Sequence, residues 1–240
     1  PGIGADGICL ARTSAHADVR MELINSDGST PEMCGNGLRC FVKFAVEELG
    51  LTMNPLKVDT NGGVKVCYWS GRTGGAVDSV RVDMGKPTFD RQAIPMTGEG
   101  STKDIRIDSN GHSFVVNGVN TGNPHMVIFG DASLDAAKTH GPTLTHHPMW
   151  PKGTNVEFAD VLNSRELQVS VWERGCGLTQ ACGTGATATA TAAIRLGHCE
   201  FDTPITVHLP GGDLVITIEE GYKTAWMEGP VVELYRGTLS

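Results

Sequence analysis

QVSVWERGCGLTQACGTGATATATAAIRLG, residues 168–197, passes from an alternating run through a polar turn and a cysteine into a stretch of small residues. The alternation up to Trp172 reads as a strand with one buried face. Cys182 is followed at once by Gly183-Thr184-Gly185, and the Ala/Thr run that follows reads as a helix from about Gly185 to Leu196. Arg195 stands in its last turn and Gly197 stops it. That helix carries no charge before Arg195, so it is expected to be wrapped on several sides by sheet. A second stretch, RMELINSDGSTPEMCGNGLRCFVKFAVEELG, residues 20–50, repeats the plan: strand, polar turn, Cys34, Gly-x-Gly, then a helix from about Gly37 to Leu49. Asn25 precedes Cys34 by nine residues, and Glu173 precedes Cys182 by nine. An internal duplication accounts for both, and predicts two similar α/β halves with one thiol each.

The surrounding chain is strand-rich. Alternating or β-branched runs fall at Val19–Ile24, Val64–Trp69, Val80–Met84, Ser113–Val116, Met126–Phe129, Leu167–Trp172, Ile205–His208 and Leu214–Ile218. A short helix is expected over Leu134–Thr139. The halves are expected to divide near Gly85-Lys86-Pro87, as residues 1–85 and 86–230, with 231–240 rejoining the first. At 240 residues and 40% hydrophobic, the chain is long enough for substantial cores. A net charge of -8 without a basic stripe argues against nucleic acid, and no apolar run reaches the roughly 18 residues of a membrane helix. Seven scattered cysteines, odd in number and without a CxxC pair, favour reduced thiols over a disulfide framework or a zinc ribbon. Cys9, Cys40, Cys67 and Cys199 read as core residues, and Cys176 as a turn residue near Cys182. The three histidines of HGPTLTHHP, residues 140–148, fit no zinc spacing, and no metal is expected. GIGADG, residues 2–7, fits a dinucleotide fingerprint literally, but the strand-like ICLAR follows it where a helix is needed.

A cysteine at a helix N-terminus meets unpaired amides and the positive end of the backbone dipole. Such an end favours thiolate and can also hold a carboxylate. One helix from each half would place two thiols on one cleft, with a substrate carboxylate held by Gly35-Asn36-Gly37 and Gly183-Thr184-Gly185. One thiolate then removes an α-proton while the opposite thiol delivers one to the other face, and the stereocentre inverts. The scheme needs no cofactor, and no lysine stands in a recognisable pyridoxal-phosphate setting.

PEMCGNGLRC, NTGNPHMVIFG, GTNVEF, WERGCGLTQACGTGA and LPGGDL, in this order along essentially the whole chain, resemble the diaminopimelate epimerase family. The resemblance implies an α/β (α+β) fold of two pseudo-symmetric halves, each a curved, mostly antiparallel sheet around a central helix. It implies a cofactor-independent reaction interconverting LL- and meso-diaminopimelate in lysine biosynthesis. By motif, Cys34 and Cys182 resemble the acid/base pair, and Gly35-Asn36 and Gly183-Thr184 the carboxylate cradle. Asn25, Asn123, Asn155 and Arg174 resemble polar contacts to the substrate. Glu173 is expected both to contact substrate and, with His125, to tune the thiols. The implied partner is the small-molecule substrate, in a homodimer, in the cytoplasm or in the plastid stroma of a plant.

The sequence begins at Pro1 inside the resemblance, so the family's first strand and a substrate-contacting asparagine are expected to be missing. Two alternatives stand beside the epimerase. One is a related amino-acid racemase of the proline racemase type, against which Arg174 and the asparagines favour a long substrate with a second polar end. The other is a truncated, non-catalytic ligand-binding protein of the same fold.

Overall fold

A computed structural model describes residues 5, 7–26, 28–31, 34–71 and 76–237. The chain forms two compact units, residues 1–83 with 228–240, and residues 84–227. Both are α+β.

In the first unit, β1 (Gly7–Arg12), β2 (Val19–Asn25), β3 (Leu56–Thr60), β4 (Gly63–Gly71) and β5 (Val77–Gly85) form a sheet in that order. The β2/β3 pair is parallel and the rest antiparallel. Helix α1 (Gly35–Glu47) lies on β1 and β2 through Leu38, Phe41, Val42 and Ala45, the face expected from their 3.6-residue spacing. Leu49, the expected end of the helix, falls beyond its last residue and is exposed. Residues after 227 return to this unit, where Val231 N–H donates to the Asp78 carbonyl at 3.0 Å. Cys40 is exposed rather than part of the core, because it lies on the outer side of α1, whereas Cys67 is buried on β4. Gly7, the last residue of the GIGADG run, opens a strand; Pro1–Gly4 and Asp6 lie outside the described residues.

The second unit contains β6 (Ile105–Ser109), β7 (His112–Asn120), β8 (Pro124–Phe129), α2 (Leu134–Leu144), β9 (Asn155–Asn163), β10 (Glu166–Glu173), β11 (Gly177–Thr179), α3 (Gly183–Arg195), β12 (Ile205–Leu209) and β13 (Gly212–Ile218). Strand β14 (Ala225–Pro230) then carries the chain back into the first unit. The sheet order is β13-β12-β10-β9-β8-β7-β6, with β11 paired to β10. Helix α3 contacts six of these strands, and its residues Gly185–Ile194 are all buried. Its buried hydroxyls find partners within the helix. Thr187, Thr189 and Thr191 donate to the carbonyls of Gly183, Gly185 and Thr187 at 2.7–2.9 Å. The helix ends in a Schellman turn, with Gly197 (φ 80°) donating to the Ile194 carbonyl and His198 N–H to that of Ala193.

Strand β9 does not alternate: its first five residues, NVEFA, are all buried. It sits between β8 and β10 in the sheet and touches both α2 and α3, so both of its faces are covered. Helix α2 runs five residues past the expected Thr139, through Gly141 and Pro142, which usually end a helix. Packing explains the extension. A Cβ on Gly141 would stand 2.5 Å from Cβ and Cγ of Trp172 on β10, so the glycine lets α2 lie directly against that ring. Gly141→Ala is expected to cost about 2 kcal/mol despite the better helix propensity of alanine, because neither backbone nor indole can yield without moving β10. A chemical-denaturation midpoint unchanged from the parent would contradict that packing argument.

Candidate active site

Each half of the duplication places its cysteine at the same point of a helix. Cys34 is the N-cap of α1, with φ −137° and ψ 108°, and its Sγ accepts the Gly37 N–H at 3.4 Å. Cys182 is the N-cap of α3, with φ −129° and ψ 110°, and its Sγ accepts the Gly185 N–H at 3.3 Å. Both are 13-residue helices, and neither has an acidic residue in its first turn. The positive end of each dipole therefore acts on a thiol and on the amides of Gly35-Asn36 and Gly183-Thr184.

The two thiols have different surroundings. In the first unit Cys34 is half-buried and Arg39, one turn along α1, is buried. Burial lowers the affinity of the Arg39 guanidinium for its proton, while the neighbouring Cys40 and Cys34 raise it. Its Nε donates to the Pro230 carbonyl at 3.4 Å. Cys9 on β1 donates weakly to the Gly37 carbonyl at 3.9 Å. Burial first, and then the charges of Cys34 and Cys40, push the Cys9 thiol up to about 11. Cys9 is therefore an inert thiol. Asn25 ends β2 and closes a turn: its N–H donates to the Ser29 carbonyl at 2.8 Å and its Nδ2 to Ser29 Oγ at 3.0 Å.

In the second unit Cys182 is 5% exposed, and its Sγ also lies 3.4 Å from Thr184 Oγ1. Burial raises this thiol well above its ordinary value, and the charges of Glu173 and Glu157 raise it further against the Thr184 and Gly185 hydrogen bonds. Thr184 is anchored from below, since its carbonyl accepts Thr121 Oγ1 at 3.1 Å. Glu173 at the end of β10 accepts Thr179 Oγ1 at 2.6 Å, and the short β10/β11 pairing holds it there. Asn155 is a brace: Nδ2 donates to the Pro124 carbonyl at 3.2 Å and Oδ1 accepts the Arg174 N–H at 2.9 Å. The Arg174 guanidinium folds over Gly153 (φ 72°) and donates to the carbonyls of Lys152 and Gly153 at 3.1 and 3.3 Å. His125 lies between Asn123 Oδ1 at Nε2 and Glu157 Oε1 at Nδ1, each 2.7 Å away.

The second unit thus brings Asn123, His125, Asn155, Glu173, Arg174, Cys182, Gly183 and Thr184 into one linked set of strand ends and a helix start. The first unit supplies Asn25, Cys34, Gly35 and Asn36. Glu157 was not among the residues expected from sequence, although it lies inside the GTNVEF motif. Among the described residues no group of three or more His, Cys, Asp or Glu side chains could hold a metal ion. Among the same residues no helix is long and apolar enough to cross a membrane.

The model of the family described as diaminopimelate epimerase matches residues 1–89 and 118–234. A diaminopimelate epimerase from Desulfitobacterium hafniense is 43% identical over 241 residues, covering 99% of this chain and 83% of its own. One from Moorella thermoacetica is 46% identical over 242 residues, covering 98% and 84%. Among solved structures, a probable proline racemase from Agrobacterium radiobacter with bound carbonate superposes with a TM-score of 0.70 at 15% identity, over 95% of this chain and 76% of that one. A hydroxyproline epimerase from Agrobacterium vitis with bound trans-4-hydroxy-L-proline gives 0.69 at 15% identity, over 93% and 71%. At that identity the structures speak for the fold, while the sequence matches settle the relationship: the chain belongs to the diaminopimelate epimerase family.

Proposed function

We propose that the chain interconverts LL- and meso-diaminopimelate by proton transfer at the α-carbon, with Cys34 and Cys182 as the acid/base pair and no bound cofactor. The observation that carries this reading is the repeated cap: two thiols, each on the first free amide turn of a helix, each followed by Gly-x-Gly. An amino-acid α-proton is very weakly acidic, so the carbanion-like state needs preorganised donors at its carboxylate. The amides of Gly35-Asn36 and Gly183-Thr184 are such donors. Removing one donor of this kind costs about 3–4 kcal/mol in enzymes where it has been tested. In one direction Cys34 is the base and Cys182, whose thiol burial and the nearby charge of Glu173 raise, is the acid. Reversal of the roles runs the opposite direction.

Asn25, Asn123, Asn155, Glu173 and Arg174 serve the polar ends of the substrate in this reading. Asn155 and Arg174 do so from positions already braced against backbone carbonyls, which keeps their conformational cost on binding low. A homodimer with reduced thiols in the cytoplasm, or in the plastid stroma of a plant, belongs to the same proposal. The test is incubation with LL-diaminopimelate in heavy water. Deuterium at the α-carbon and the meso isomer are expected to appear together. Inversion of proline with no turnover of diaminopimelate would instead move the chain to another substrate.

A further inference from the structure

One group in the second unit was not among the site residues expected from sequence. Glu157 lies in the middle of the buried run of β9 and is 0% exposed, as is His125 on β8 beside it. Its Oε1 meets His125 Nδ1 at 2.7 Å, while its Oε2 is buried and has no hydrogen-bond partner among the described residues. An isolated ion in such a place costs several kcal/mol, so a carboxyl there stays only if something shares its charge. His125 does so. With Asn123 Oδ1 facing Nε2 at 2.7 Å, Nε2 must carry a proton, and one further proton remains for the contact between Nδ1 and Oε1. That proton makes the pair either imidazolium with carboxylate or imidazole with carboxylic acid. Both forms are neutral overall, as burial demands, but they present different charges to their surroundings.

The surroundings are the thiol. The corner of Gly185 where a Cβ would stand is 2.9 Å from Glu157 Oε1 and 3.3 Å from Cys182 Sγ, so carboxyl and sulfur face each other across a bare glycine. The same glycine's N–H is the one that caps the sulfur. We propose that Glu157 is a positioning residue for Cys182: it shares one proton with His125 Nδ1, and the side of the contact on which that proton rests follows the protonation of the thiol.

When Cys182 holds its proton, the shared proton sits on Nδ1 and a carboxylate faces the SH group. When Cys182 has given its proton to the substrate carbon, the shared proton shifts from Nδ1 to Oε1 and the thiolate faces an uncharged acid. No bond other than N–H and O–H changes, and no net charge is gained or lost in the pair. A single cysteine that must be an acid in one direction and a base in the other thereby has a neighbour that suits each state. Other titratable groups take part in the field at the sulfur. Glu173 on β10 raises the thiol as Glu157 does, and burial pushes the carboxyl of Glu157 up, with His125 acting against that rise and Glu173 with it.

This inference rests on the reading of Cys182 as an acid/base group, and its test is separable from that reading. In Glu157→Gln the volume is kept, the shared proton is lost and residue 157 is uncharged at every pH. The ultraviolet thiolate band of Cys182, isolated as the difference between each protein and its own Cys182→Ala partner, is expected to appear at lower pH in Glu157→Gln than in the parent. In turnover, the alkaline limb of the kcat/KM profile is expected to move in the same direction, with kcat at the optimum lowered about tenfold. A folded Glu157→Gln protein whose Cys182 titrates as in the parent overturns the proposal, whatever the substrate proves to be. A measurement on the parent stands beside it in case the variant does not fold. With 15N-labelled histidine, His125 Nδ1 is expected to show a far-downfield shared proton, and an ordinary neutral imidazole beside an ionised Glu157 overturns the proposal equally. If both results hold but diaminopimelate is not turned over, the substrate assignment fails and the proton-sharing pair remains.

Discussion

Replacement of either Cys34 or Cys182 by alanine is expected to lower the rate of stereoinversion by about three to four orders of magnitude, the upper range for a positioned acid or base. The two losses should be nearly equal in inversion and unequal in isotope exchange. Inversion needs a base on one face of the α-carbon and an acid on the other, so either deletion stops it. Exchange of the α-hydrogen with solvent and return to the same face needs one thiol alone. Cys34→Ala should therefore retain slow deuterium uptake into one stereoisomer without inversion, and Cys182→Ala into the other. The measurement is chiral chromatography coupled to mass spectrometry in heavy water. The helix amides remain in both variants, since the cysteines contribute only side chains to the caps. An alanine cap loses a hydrogen-bond acceptor and costs about 1 kcal/mol of helix stability, too little to account for the loss of activity through unfolding. Inversion at the parental rate in either variant would refute the acid/base assignment.

The caps were legible because everything that makes them is local. A cysteine, two glycines and an apolar run occupy consecutive positions, and the duplication of the pattern set Cys34 and Cys182 apart from the other five thiols. The burial of α3 was legible for a similar reason, since an uncharged Ala/Thr run has only one way to meet water's absence. Its threonines satisfy themselves along the helix. Other features depend on contacts distant in sequence. Strand β9 carries no alternation because α2 and α3 cover both of its faces, and nothing in NVEFADVLN announces two helices. Helix α2 continues through Gly141-Pro142 because Trp172, on a strand two elements away in the order of the chain, fills the space of the missing Cβ. Glu157 was hidden most fully. A glutamate in a strand reads as a solvent-facing residue, and only the meeting of β8, β9 and α3 shows it paired with His125 and set behind Cys182. The resemblance pointed to Asn25 and Arg174 as substrate contacts. Their present partners, Ser29 for the one and the Lys152 and Gly153 carbonyls for the other, were not legible.

The two glycines that close the caps look equivalent in sequence and are expected to respond oppositely to alanine. At Gly37 a Cβ would meet Cys34 Sγ at 3.5 Å, with Cys34 Cβ and Cys9 Sγ at 3.6 Å, all ordinary contacts. Gly37→Ala should then leave stability unchanged or raise it by up to about 1 kcal/mol, the difference in helix propensity. At Gly185 the same Cβ would stand 2.9 Å from Glu157 Oε1 and 3.3 Å from both Cβ and Sγ of Cys182. None of the three can retreat cheaply. Glu157 is held by His125 in a fully buried strand, and Cys182 is held by the cap itself. Overpacking of this kind costs about 1–3 kcal/mol, which outweighs the propensity gain. The net expectation is a loss of about 1–2 kcal/mol, read as a lower denaturation midpoint. Activity should fall further than stability accounts for. The added methyl pushes the sulfur away from the position its helix amides prescribe, and a displacement near 1 Å at a reacting group costs about 100-fold in rate. The decisive comparison is kcat of folded Gly185→Ala against folded Gly37→Ala under the same conditions. Equal stability and equal turnover in the two variants would mean that the carboxyl of Glu157 does not press on the helix start from behind.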